Sequence, residues 1–353
     1  MRLACTIARS CSTIRDMRKS RLQIPGVPSW VVFNGNLGLP LFKDRVDYET
    51  MTDAVAESSA EFGVDVYAYC WLEKQGHLLA DAPLANLSQF MQVFMSTYAR
   101  RFCVRHRHVG SVFQTRFRSV LVGGDAYLLK ASRYIHLMAI RHLAAGSGLI
   151  AEGMASLAAF PWSSYRRTAG LDAPVQWLAS ARVAALAPGT GSAAARYRKF
   201  VEQALRDGEA NFGERIKSTT LAFGDSEFLQ RIKAEEARVR GRWRRGEPPA
   251  LLEPLQPRED PEAVIAEVCA KLAIPPERLC VLHLHGDHSK GIASLALTRR
   301  CGLSYEAVAR RFGAANGLTM RAAIQRAREA AKDDPALKAL LDELAPLPRR
   351  AGR

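Results

Sequence analysis

No uninterrupted apolar run in this chain of 353 residues approaches the roughly 20 that a helix needs to cross a bilayer, so no membrane partner is expected. There is no Cys-x-x-Cys pair either. The seven cysteines (Cys5, Cys11, Cys70, Cys103, Cys269, Cys280 and Cys301) are odd in number and scattered. That pattern argues against a zinc ribbon or a disulfide framework and fits reduced thiols in a cytoplasmic protein. Acidic residues are in short supply: 35 Asp and Glu stand against 50 Lys and Arg, for a formal net charge of +15. Such an excess is an electrostatic footprint of nucleic-acid binding, the alternative being an arginine-rich usage set by a GC-rich genome. What is plentiful is apolar: 48% of the residues are hydrophobic, enough for a sizeable core and against wholesale disorder. The length suggests about two to three domains. Met1 to Asp16 carries arginines and only short apolar pieces, so it reads as an extension rather than a signal peptide, and 346–353 as a basic tail.

Residues 22–36 alternate turn signals (Pro25-Gly26, Asn34-Gly35) with the β-branched run of a buried strand. A helix is expected over 47–62, a strand over 64–71 and a strongly amphipathic helix over 86–106. A short strand over 119–122 and a helix over 125–142 complete the series. Strands interleaved with helices to about residue 170 predict an α+β domain with helices packed on a sheet. Residues 171–257 read as a helical and loop linker, with one helix near 193–207. It carries a charge run, Arg238-Val239-Arg240-Gly241-Arg242-Trp243-Arg244-Arg245, which suits either a solvated face or phosphate contact with base stacking. Residues 258–345 form an all-helical module. Asp260-Pro261 is a cap followed by a first-turn proline, and helices over 304–312 and 319–331, with a short glycine-containing joint, read as a helix-turn-helix.

The chemistry-bearing segments come in a definite order: Tyr69-Cys70-Trp71-Leu72-Glu73-Lys74-Gln75-Gly76-His77-Leu78-Leu79, then Gly110-Ser111-Val112-Phe113-Gln114-Thr115-Arg116-Phe117-Arg118, then Arg133-Tyr134-Ile135-His136-Leu137, then Phe160-Pro161-Trp162-Ser163-Ser164-Tyr165. This order and spacing over 17–170 resemble the REP-associated tyrosine transposases of the HUH single-strand endonuclease superfamily. The resemblance implies a ferredoxin-like fold, an antiparallel sheet with packed helices. It also implies a magnesium or manganese ion held by two histidines flanking one hydrophobic residue, and a helical tyrosine that forms a 5′-phosphotyrosine intermediate during DNA transposition. Tyr134 falls at the nucleophile position, and Gln114, Arg116, Arg118, Arg133 and Arg141 at DNA-contact positions. The C-terminal module resembles the DNA-binding domain of the bacterial chromosomal replication initiator, and would present Arg321, Gln325 and Arg328 to duplex DNA. In place of that domain's basic, histidine-bearing loop stands Ala314-Ala315-Asn316-Gly317-Leu318.

The metal site departs from the pattern. Where the family has two histidines this chain has Gln75 and His77, and the third ligand position, one helical turn after Tyr134, is Met138. A glutamine carbonyl can still serve a hard cation, whereas a thioether is a poor match. Trp30 and Asn34 stand where the resembled motif has histidine and arginine. His283-Leu284-His285, with Asp287 and His288 after it, matches His-hydrophobic-His literally, but in the helical module and without a tyrosine at the expected distance. The expectation is therefore a bacterial DNA-binding protein on a transposase scaffold, monomer or homodimer, with single-strand cleavage impaired. The alternative is a catalytically inactive, domesticated regulator. RNA binding on the sheet would need Trp30, Phe33, Tyr67 and Tyr69 exposed.

Overall fold

The computed structural model describes residues 22–114, 116–141, 150–207, 221–241, 259–281, 286–303 and 305–346. The first part runs β1 (Ser29–Asn34), α1 (Arg45–Phe62), β2 (Asp65–Leu72), β3 (Gln75–Asp81), α2 (Leu87–His106), β4 (Arg118–Val122) and α3 (Asp125–Arg141). It continues through α4 (Ile150–Ala159), α5 (Tyr165–Thr168), α6 (Ser180–Ala185), α7 (Ala193–Asp207), β5 (Ala222–Phe223) and α8 (Ser226–Gly241). Local chemistry sets the ends of these elements. The Asp44 carboxylate accepts from the amides of Val46 (2.9 Å) and Asp47 (3.3 Å) to start α1, and Gly63, at φ 62°, takes the left-handed turn that ends it.

The strands form one sheet in the order β2-β3-β1-β4-β5. Beyond the strand expected over 64–71, the chain folds back as a hairpin: the exposed Glu73-Lys74 pair turns it, so that Gln75 opens β3 opposite Leu72. The sheet is also mixed rather than wholly antiparallel. The segment expected as linker around 221–228 adds β5 in parallel beside β4, with Leu121 donating to the Leu221 carbonyl (3.0 Å) and Gly123 to that of Phe223 (2.8 Å). This covers an edge whose amides would otherwise stay open. Phe228 locks the addition in place: a Cβ on Gly123 or Gly224 would come within 2.3 or 2.4 Å of its ring.

Helices cover both faces of the sheet. Val31, Phe33, Tyr69, Trp71 and Leu78 pack under α1 and α2, while Trp30, Ala68, Cys70, Leu79 and Val120 pack under α3 and α7. Trp30, Phe33, Tyr67 and Tyr69 are 3%, 2%, 0% and 1% exposed, which removes the basis for RNA stacking on the sheet.

The second core is all helical: α9 (Pro261–Leu272), α10 (Ser289–Arg300), α11 (Tyr305–Arg311), α12 (Gly317–Asp333) and α13 (Pro335–Leu344). Asp260 caps α9 through the Ala263 amide (3.1 Å). Asn316 caps α12 through Thr319 (3.2 Å), which starts that helix two residues earlier than the sequence suggests. α10 and α12 approach closely enough that a Cβ on Gly291 would stand 2.4 Å from the Ala323 carbonyl oxygen. This module rests against α1 and α2. Tyr305 donates to Glu61, Arg328 lies 3.6 Å from the same carboxylate, Arg299 donates to the Ala60 carbonyl (3.0 Å), and Arg321 donates to Thr97.

Candidate functional site

β1 and β3 pair so that Asn34 faces Gln75, Val32 faces His77 and Trp30 faces Leu79. Strand periodicity puts Gln75 and His77 on one face, and there they bond each other. The Gln75 amide nitrogen donates to Asn34 Oδ1 (2.7 Å), so its carbonyl oxygen turns to His77 Nε2, 2.9 Å away. In this arrangement Nε2 carries the proton and has no lone pair to offer a metal.

The Trp30 indole completes the change. It stacks on the His77 ring (5.7 Å between centroids, 10° between planes) and meets Tyr134 edge-on (5.7 Å, 85°). Trp30, Tyr134 and Met138 belong to one apolar cluster, with Tyr134 only 3% exposed. A hard divalent cation needs several oxygen or imidazole lone pairs in a shell of about 2.0–2.6 Å. At Gln75 and His77 it would find the one carbonyl oxygen already bonded to Nε2 and the Trp30 indole stacked on the imidazole, and the third ligand position is the Met138 thioether, so this donor set is a poor fit to magnesium or manganese.

His136, two residues from Tyr134, points away from it. Its Nε2 lies 2.7 Å from Ser164 Oγ, and its Nδ1 2.8 Å from the Tyr197 hydroxyl, which in turn sits 3.0 Å from Ser132 Oγ. Ser164 Oγ also accepts from the Tyr69 amide (2.9 Å), so one polar chain ties α3 to α7 and β2. Complete burial pushes the His136 imidazole down to about 3, which keeps it neutral. Sequence reasoning missed Tyr197, because nothing near it signals a partner for α3.

The expected DNA contacts separate. Gln114 and Arg116 are exposed, and the Gln114 amide donates to the Asn34 carbonyl (2.9 Å), which brings it beside the Asn34–Gln75–His77 chain. Arg118 is half-buried at the start of β4. Arg133 is buried, its guanidinium 3.9 Å over the Phe200 ring and its Nη1 3.1 Å from the Phe200 carbonyl oxygen, so it braces α7. Arg141 closes α3, and its side chain lies outside the described residues, as do His283, Leu284 and His285. Asp287 accepts from the Ser289 amide (2.9 Å) just ahead of α10 and pairs with Arg278 (3.1 Å). On α12, Gln325 is exposed and bonds Glu329 (2.8 Å), whereas Arg321 and Arg328 are engaged with α2 and α1.

A second group of ligand-type atoms, unforeseen in the sequence, comes together at the end of α2: Asp44, Asp47 and His106 offer atoms within 4.8 Å of one another. Arg105 already supplies the cation there, 2.6 Å from Asp44 and 2.7 Å from Asp47, and His106 lies 2.8 Å from Asp47. The Arg105 guanidinium holds the Asp44 carboxyl below its ordinary value.

No family model and no curated protein matches the chain. Eight solved chains match parts of it, two of them as follows. One is a REP-associated tyrosine transposase bound to a REP hairpin, 15% identical over 43% of this chain and 84% of that one, with a TM-score of 0.36. The other, assigned as a transposase of Deinococcus radiodurans R1, is 17% identical over 34% of this chain and 95% of that one, with a TM-score of 0.26. Among the described residues no helix is long and apolar enough to cross a membrane.

Proposed function

We propose that this chain is a DNA-binding protein on a tyrosine-transposase scaffold in which metal-dependent strand cleavage has been lost. The observation that carries the reading is the Trp30 indole packed against both the His77 ring and the Tyr134 ring, with Gln75 holding His77 Nε2 as a donor. Cutting DNA with a tyrosine requires a phenol that meets the phosphate and charge stabilisation at the phosphoryl oxygens. Tyr134 is buried among apolar side chains, and the residues that would hold a metal are bonded to one another. Binding makes smaller demands. The net charge of +15, together with exposed Gln114 and Arg116 at the open end of β1, is suited to holding a phosphate backbone.

A single-stranded or hairpin substrate fits this domain best, because its basic loops project from a sheet end rather than along a helix. Of the three residues expected to meet duplex DNA, Gln325 stays exposed on α12, whereas Arg321 and Arg328 are turned to α2 and α1. Fluorescence anisotropy with a labelled hairpin tests the reading. Affinity should be unchanged by a chelator and by Tyr134→Phe, and should fall in Arg116→Gln. Affinity that disappears with the chelator would refute it.

A further inference from the structure

The helical module meets the first domain through the same side chains that its sequence offers to DNA. Arg321 and Arg328 stand seven residues apart on α12, so they share one stripe of that helix with Gln325 between them. Arg321 donates to Thr97 on α2, and Arg328 lies 3.6 Å from Glu61 at the end of α1. Glu306 accepts from the Gly317 amide (2.7 Å) and so fixes α12 against α11. The direction of the stripe is therefore set inside the module, and its cover comes from the first domain.

That cover is poorly matched. Among the described residues Tyr305 is the one side chain that borders both apolar cores, its ring 5.8 Å from that of Phe62. The other bridges are polar, and three of them come from guanidiniums: those of Arg299, Arg321 and Arg328. The first domain answers with the Glu61 carboxylate, which already accepts from Tyr305. Among the described residues, Arg299 Nε and Arg328 Nη2 are buried without an acceptor. Burial, with the Arg328 charge beside it, pushes Arg299 down to about 10. Unmet N–H groups and adjacent like charges both weaken a contact, so the docked arrangement gains little from its arginines. A phosphate backbone supplies what the interface lacks, a row of anionic acceptors that a guanidinium meets in a fork.

We infer that this docking is an autoinhibitory contact: Glu61 and Thr97 occupy the α12 stripe, and the module leaves α1 when the phosphate backbone of duplex DNA takes Arg321 and Arg328 in their place. This inference rests on the DNA-binding reading above. Duplex and Glu61 compete for the same guanidiniums. A substitution that loosens the docking therefore strengthens duplex binding, by the factor through which it raises the open fraction. The effect is reciprocal, so bound duplex releases the end of α1.

Fluorescence anisotropy of the full-length protein on a labelled blunt duplex, with a hairpin measured alongside, tests this. Tyr305→Phe is the sharpest variant, because it keeps the ring between the two cores, changes no charge and removes the donor to Glu61. It should bind the duplex about ten-fold more tightly than wild type. Glu61→Ala should gain at least as much. Glu57→Ala, one turn earlier on α1 and paired with Arg101, removes an equal charge and should leave affinity within about two-fold. Adding Arg321→Gln and Arg328→Gln to Tyr305→Phe should erase the gain and lower the slope of log affinity against log salt by about 2. Saturating duplex should quicken hydrogen exchange at the end of α1 in wild type. Unchanged or weaker duplex binding in both Tyr305→Phe and Glu61→Ala, with hairpin binding intact, would overturn the autoinhibitory contact and leave DNA binding standing. Equal gains in Glu57→Ala and Glu61→Ala, with none in Tyr305→Phe, would overturn it in favour of surface charge alone. Wild type and variants that bind neither DNA would overturn both readings.

Discussion

Replacing His136 with glutamine should change how the stability of the sheet domain depends on pH, and the structure sets the size of the effect. His136 is completely buried between Ser164 and Tyr197, and burial pushes its pKa down to about 3, against about 6.5 in an unfolded chain. Between these values the unfolded state binds the extra proton. The His136 contribution to stability is therefore fully present above about pH 6.5 and is lost as pH falls toward 3. At pH 5 the loss is about 2 kcal/mol, fixed by the distance from 6.5 and insensitive to the exact folded value. Asp81 acts in the opposite direction: burial raises its carboxyl to about 6, so protonation in the acid range favours the folded chain. Subtracting the His136→Gln curve from that of wild type removes this background. Urea unfolding followed by tryptophan fluorescence suits the purpose, because Trp30, Trp71, Trp162 and Trp177 all lie in the first domain and none lies in 259–346. The wild-type advantage over the variant should shrink by about 2 kcal/mol between pH 8 and pH 5. A difference constant to within about 0.5 kcal/mol would refute the buried neutral histidine.

Three further outcomes follow from the packing and charge. Glu61→Ala removes the acceptor of Tyr305 and the partner of Arg328, an interfacial charge, and should cost about 3 kcal/mol in docking the helical module. Hydrogen exchange over 317–333 should then quicken, and unchanged exchange would count against that contact. Gly76→Ala places a Cβ 2.1 Å from the Phe33 ring and should lower stability by about 1–3 kcal/mol, read as a lower urea midpoint. DNA affinity should fall steeply with salt, and salt-independent binding would contradict the basic-surface argument.

Much of the fold was legible because its signals are local. The apolar stripe of α2, the β-branched run of β1 and the cap at Asp260 each act within a few residues. β5 was not legible. A two-residue strand carries no periodicity, and only the open edge of β4 and the fit of Phe228 against Gly123 and Gly224 explain its place. At the site, sequence pointed to Gln75, His77, Tyr134 and Met138 through their order, and the structure brings Trp30 among them. It did not foresee that Gln75 would bond His77, or that Trp30 would stack on it, because both depend on the β1–β3 register. Arginine positions were the least legible. Arg133, Arg321 and Arg328 look alike in sequence to Arg116, yet each finds a partner that only tertiary packing supplies: the ring and carbonyl of Phe200, Thr97 and Glu61.

The central claim is that the scaffold no longer cuts DNA, and a single-turnover reaction with labelled hairpin DNA and manganese tests it most directly. Wild type, Tyr134→Phe and the triple variant Trp30→His, Gln75→His, Met138→Asn would be compared on a denaturing gel. Wild type and Tyr134→Phe should both bind the hairpin and form no covalent adduct, whereas the triple variant, with the indole removed and ligands restored, should gain one. A wild-type adduct that disappears in Tyr134→Phe would contradict the account.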